Sequence, residues 1–164
     1  ELLEAWPRVV AAVPDARLVI AGDGPGRADL QRKAATLPCA DAIEFRGFVL
    51  EEQKDDLWSQ ATVFAMPSRG EGFGIVYIEA MRHALPVVAS CHDAAQEINL
   101  DGHTGFNVNL DQPGQLAERL TFLLANPDVA AELGRNGQRR WHEEFSFTAF
   151  RKRFTPILRE FIGE

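Results

Sequence analysis

A doubly wound α/β fold, with parallel strands in the middle and helices on both faces, is the class this sequence predicts. Short apolar runs of strand length alternate with helix-length segments over residues 1–110. Strands separated by helices of that length pair in parallel through right-handed crossovers. Glycine-bearing turns, Gly22-Asp23-Gly24-Pro25-Gly26 and Arg46-Gly47-Phe48-Val49, follow two of the strands at the carboxyl edge, where such sheets bind ligands.

Taken in order, Leu2, Leu3, Trp6, Val9, Val10 and Val13 recur at helical spacing, so the chain is expected to open in a helix and to be cut on its N-terminal side. A strand over 17–21, a helix over 27–37 and a strand over 43–46 follow. The alternation repeats as a helix at 51–61, a strand at 62–66, a helix at 75–84, a strand at 86–89, a helical turn at 95–99 and a strand at 105–108. The last third is helical. Residues 115–125 follow the turn Gln112-Pro113-Gly114, residues 128–141 follow Asn126-Pro127, and Ser146 or Thr148 caps a helix running to about residue 162. Its apolar residues Phe147, Phe150, Phe154, Ile157, Leu158 and Phe161 are expected to cover this chain's own sheet.

A length of 164 residues, 46% apolar and 25% charged, suits one globular domain spanning 1–164, with C-terminal helices over 115–162. No apolar run approaches the roughly 20 residues of a spanning helix. The formal net charge of -7 argues against a nucleic-acid partner, which normally meets a basic face. Cys39 and Cys91 stand in no metal or redox spacing and read as unpaired thiols of a reducing compartment.

The chemistry concentrates between Glu71 and Glu79. Gly72, Phe73 and Gly74 lead from a strand into the helix that begins at Ile75, so the amides of Phe73, Gly74 and Ile75 lack intrahelical partners. The helix dipole adds about half a positive charge there, which suits a phosphate. Glu71 in the loop and Glu79 about two turns into the helix would accept hydrogen bonds from hydroxyls. A ligand joining phosphate to several hydroxyls is a sugar nucleotide.

These residues resemble glycosyltransferase family 4, retaining enzymes of two Rossmann-like domains (the GT-B architecture) marked by Glu, seven residues, Glu. Gly22-Asp23-Gly24-Pro25, Phe45-Arg46-Gly47-Phe48, Met66-Pro67-Ser68, Pro86-Val87-Val88-Ala89-Ser90 and the stretch from Gly102 to Gly105 recur in that family in this order. The resemblance implies the C-terminal, donor-binding half of that fold, with a first strand missing ahead of Glu1. It implies Glu71 as the catalytic-site carboxylate against the transferred sugar. Gly24, Ser68, Gly72, Phe73, Gly74 and Ile75 would surround the donor, Glu79 would hold the ribose, and backbone around Phe48 and Val49 would hold the base. The base pocket leaves no side-chain signature, so UDP-, GDP- and ADP-sugars all stand as donors.

The resemblance also implies an acceptor-binding N-terminal domain outside this chain, and a Gly-Arg strand end and Lys-Gly turn upstream to meet the diphosphate. The parent enzyme is then cytoplasmic, peripheral to the inner membrane at most through that domain, and the isolated 164 residues inactive. Where the family has a Gly-Gly loop before a Glu, this chain has Asp93 and Ala94 before Glu97. Asp93 is expected to cap the short helix and Glu97 to accept from loop amides. No cofactor or metal is expected. His83, His92, His103 and His142 are never paired at ligand spacing, and Asp55-Asp56 sits on a polar helix face. The function expected is hexose transfer from a nucleoside-diphosphate sugar to an acceptor hydroxyl, with a non-catalytic nucleotide-sugar-binding module as the alternative.

Overall fold

The computed structural model describes residues 1–163. Eight α-helices and five strands follow one another as α1 (Leu2–Ala12), β1 (Leu18–Ala21), α2 (Arg27–Ala35), β2 (Ile43–Gly47), α3 (Glu51–Gln60), β3 (Phe64–Ala65), α4 (Ile75–Arg82), β4 (Val87–Ser90), α5 (Ala95–Ile98), β5 (Gly105–Val108), α6 (Gln115–Ala125), α7 (Pro127–Arg140) and α8 (Phe147–Ile162). A 3-10 turn, Ala40–Ala42, precedes β2, and a π turn, Trp141–Phe145, joins α7 to α8. The strands pair in parallel and helices flank them, as the alternation predicts.

The ladder is interrupted, however. β1 pairs with β2, and β3, β4 and β5 form a second sheet, with no hydrogen bonds between β1 and β3 among the described residues. β3 is only two residues long, and its backbone bonds run to β4, Phe64 N to Pro86 O and Met66 N to Val88 O, both at 3.0 Å. Helix α1 holds the two sheets together: Trp6 and Val9 pack in one core with Leu18 and Ile43 of the first sheet and Val63, Ala65 and Val88 of the second. A second core gathers Tyr77, Ala80 and Met81 of α4 with Val87 and Ala89 of β4. Burial there is complete, and β4 is buried along its whole length, as the central strand of a covered sheet should be.

Close approaches set the spacing of these layers. A Cβ at Gly134 would stand 1.9 Å from the Ala84 carbonyl oxygen, so α7 lies against the turn that leads into β4 only because that position has no side chain. Ser146 caps α8, its Oγ accepting from Ala149 N at 3.1 Å.

One expectation fails at this helix. Its apolar residues do not cover the sheet: Phe147, Phe150, Phe154, Ile157, Leu158 and Phe161 are all exposed, Phe161 at 88%. Ala149 is the buried residue of the helix, and Phe150 stacks on Phe154 with ring centroids 5.3 Å apart. The two cores are already closed by α1, α4, α6 and α7, which leaves α8 no apolar surface of its own sheet to bury.

Candidate functional site

Gly74 is the pivot of the site. It takes the left-handed conformation, φ 77° and ψ 59°, as the residue that starts α4, and a Cβ there would stand 2.4 Å from the Tyr77 ring and 3.2 Å from Glu71 Cγ. That conformation turns the chain out of β3 and into the helix. Among the described residues, the amides of Gly72, Phe73, Gly74 and Ile75 have no hydrogen-bond partner. Phe73 and Ile75 beside them are exposed.

Below this turn lies Tyr77, fully buried, whose hydroxyl donates to the Met66 carbonyl at 2.7 Å. Burial pushes its phenol up from the ordinary range, and the carboxylates of Asp93 and Glu71 push in the same direction. Ser90, buried at the end of β4, donates through Oγ to the Ser68 carbonyl and accepts from His92 N at 3.1 Å. Ser68 Oγ accepts in turn from Gly70 N at 3.2 Å. The segment leading into the glycine turn is thus held at Met66 and Ser68 by one phenol and one hydroxyl.

The two glutamates flank the turn as the spacing requires. Glu71 is half-buried and makes no hydrogen bond or ion pair among the described residues. Glu79, 34% exposed, stands 3.6 Å from Lys54 Nζ on α3. His83, four residues on, lies 3.3 Å from Asp55 Oδ1 and stacks on Trp58. Phe48 is 73% exposed and Val49 half-buried just after β2. Gly24 is exposed in the turn after β1, its amide donating to Asp23 Oδ1 at 2.8 Å, while Gly22 N donates to Gly47 O at 2.7 Å and ties the ends of β1 and β2 together.

Arg69, one residue before Gly70, is not a free cation. Its guanidinium lies 2.9 Å from Asp111 Oδ1 and 3.3 Å from Glu1 Oε1, and these carboxylates raise its pKa further. Asp93 is not the cap residue of the short helix, which is Ala94; from one position earlier its Oδ1 accepts from Ala95 N at 2.9 Å, and its second carboxylate oxygen is buried without a partner. Glu97 departs from expectation: its side chain is exposed and accepts from no loop amide among the described residues.

Lys54, Tyr77, Ser90 and Asp111 are the neighbours that sequence reasoning does not single out. Tyr77 and Ser90 sit inside the motifs yet read as a core helix position and a strand end. Lys54 and Asp111 reach the site across elements, which spacing along one element does not reveal.

Among the described residues no three His, Cys, Asp or Glu side chains gather where they could hold a metal ion, and no helix is long and apolar enough to cross a membrane. Cys39 and Cys91 are free. A cavity of about 560 Å³ opens at the opposite, N-terminal end of β3 and β4, lined among others by Trp58, His83, Pro86 and Gln138, and none of the site residues above contributes to it.

A family described as "Glycosyl transferases group 1" matches residues 1–126. A GDP-mannose-dependent alpha-(1-6)-phosphatidylinositol monomannoside mannosyltransferase of Mycolicibacterium smegmatis is 38% identical over 147 residues, covering 85% of this chain and 38% of that protein. Among solved structures, Anabaena HepE in complex with UDP superposes with a TM-score of 0.85 at 23% identity, over 97% of this chain and 44% of its own. The C-terminal domain of a group 1 glycosyl transferase family protein (LpcC) from Francisella tularensis superposes with a TM-score of 0.79 at 23% identity, over 89% and 78%. The chain spans less than half the length of the first two of these proteins.

Proposed function

Since this chain belongs to the glycosyl transferases of group 1, we propose that it is the donor-binding part of a retaining glycosyltransferase that moves a hexose from a nucleoside-diphosphate sugar to an acceptor hydroxyl. The observation that carries this reading is the partnerless amide turn at Gly72 to Ile75, at the positive end of α4, with one carboxylate on either side. The amides suit the diphosphate, Glu71 the sugar hydroxyls and Glu79 the ribose. Gly24, Ser68, Phe48 and Val49 border the same edge.

In this reading the anomeric C–O bond breaks, the diphosphate leaves with the electron pair, and the acceptor oxygen takes the carbon and loses its proton. Positioning and stabilisation of the leaving charge supply the acceleration, with the amides already oriented before reaction. Lys54 and Arg69 are both paired with carboxylates, so further cations for the diphosphate belong to the upstream Gly-Arg and Lys-Gly segments that the resemblance implies. A leading strand there also suits the interruption between β1 and β3, since the order 3-2-1-4-5-6 of doubly wound sheets places the first strand between the second and the fourth. The relatives' donors support GDP- and UDP-sugars alike, with ADP-sugars as the third choice, and the work is done without a metal, in the cytoplasm.

The test is transfer by the full-length protein from radiolabelled UDP-, GDP- or ADP-hexose, with wild type and Glu71→Ala side by side. Transfer by wild type with retention at the anomeric carbon, and its loss by about a hundredfold or more in Glu71→Ala with nucleotide binding kept, is the expected result. Nucleotide binding with no transfer by wild type would favour the second reading, a non-catalytic nucleotide-sugar-binding module, for which the Asp93-Ala94 replacement of the glycine loop speaks.

A further inference from the structure

We propose that Lys54 is a positioning residue for the nucleotide ribose, its ammonium holding the Glu79 carboxylate in place to receive the ribose hydroxyls; this rests on the nucleotide-sugar reading above. Lys54 Nζ lies 2.7 Å from Glu51 Oε2 and 3.6 Å from Glu79 Oε1. The first contact is an ordinary pair within one turn of α3, and with Glu51 82% exposed it is heavily screened. The second joins two helices. Lys54 and Glu79 are 31% and 34% exposed, so solvent screens their attraction less, and among the described residues no other cation comes within ion-pair distance of Glu79.

The pairing uses one oxygen of Glu79. The other, Oε2, has no protein partner among the described residues. A ribose presents two adjacent hydroxyls as donors, and a carboxylate fixed before they arrive loses less side-chain freedom on binding than a mobile one. Lys54 itself is a poor phosphate ligand here. One positive charge already faces two carboxylates, so it has none in surplus for a diphosphate and acts through Glu79.

The pair also stands in the right place. α3 follows β2 of the first sheet and α4 follows β3 of the second, beside the interruption, and both helices open at the carboxyl edge of the sheets. In doubly wound folds the ligand crevice lies at that edge, where the strand order reverses.

The experiment is calorimetric binding of UDP, GDP and ADP, and of the 2'-deoxy form of whichever binds, to the full-length protein as wild type, Lys54→Met, Lys54→Arg, Glu79→Gln and Lys54→Met with Glu79→Gln. Lys54→Met is expected to weaken the ribonucleotide about threefold to tenfold, Lys54→Arg to stay within about twofold, and the double variant to bind no worse than Glu79→Gln alone. The deoxynucleotide should lose most of its sensitivity to Lys54. Equal losses from Lys54→Met with and without Glu79, or no loss from it in a wild type that does bind, overturn the proposal while leaving the nucleotide reading intact. If wild type binds none of the three nucleotides, the reading itself falls and the proposal falls with it. Should Lys54→Met fail to fold, the Lys54→Arg and Glu79→Gln proteins carry the comparison, and equal sensitivity of ribo- and deoxynucleotide to Glu79→Gln then overturns it.

Discussion

Gly74 and Tyr77 show how much of the site rests on two residues that touch each other. Gly74→Ala would force a side chain into the left-handed region and into the Tyr77 ring 2.4 Å away, and is expected to cost about 1–3 kcal/mol, read as a lower urea midpoint. Tyr77 is the one tyrosine of the chain. Its phenol is neutral and buried, with its pKa raised first by burial, so the folded state resists losing that proton. The unfolded phenol titrates near pH ~10. Stability from this group is therefore full below that pH and is lost as pH rises above it toward the raised native value. Phenolate ultraviolet absorbance of the chain should stay flat through ordinary tyrosine titration and rise only with unfolding; a reversible rise in the folded protein would contradict the burial. Glu71, Glu79 and the glycines between them were legible because the motif is contiguous. The Met66 carbonyl, held by Tyr77 from eleven residues further on, was not, because an aromatic at a core helix position carries no mark of its polar bond.

Among the elements, α7 is the most tightly constrained by backbone contact. Gly134→Ala ordinarily favours a helix by about 0.5–1 kcal/mol. Here the added Cβ would meet the Ala84 carbonyl at 1.9 Å, so a net loss of about 1–3 kcal/mol is expected in guanidinium unfolding. A neutral or stabilised Gly134→Ala would show that α7 does not seat as described. At the cap of α8, Ser146→Ala should cost about 1 kcal/mol and lower helicity by circular dichroism, since Ala149 N loses its acceptor. Helix and strand identities followed from apolar period and turn residues. The break between β1 and β3 did not, because hydrogen-bond partners lie across the sheet and each run of strand-length residues looks the same whether its edge is paired or open.

At the scale of the whole molecule, the exposed face of α8 is where sequence pattern and structure part company. Apolar periodicity says that a face wants cover and is silent on what covers it. Because Phe147, Ile157 and Phe161 make so little use of the chain's own core, each changed to Ser should shift the chain's melting midpoint only slightly, about 0.5 kcal/mol or less, where Leu123→Ala in the core costs about 2–5 kcal/mol. Large losses from the three surface changes would mean that the helix packs on its own domain after all. The acidic balance of -7 bears on the central claim, since an anion must be held here against that field by oriented amides and by cations beyond those already paired. Calorimetric titration of the full-length protein with UDP, GDP and ADP, wild type against Glu79→Ala, tests that claim most directly. Binding of one nucleotide, weakened in Glu79→Ala by about the 1.5–3 kcal/mol of a lost charged hydrogen bond, is the predicted result. Absence of binding by all three, or binding indifferent to Glu79, would contradict it.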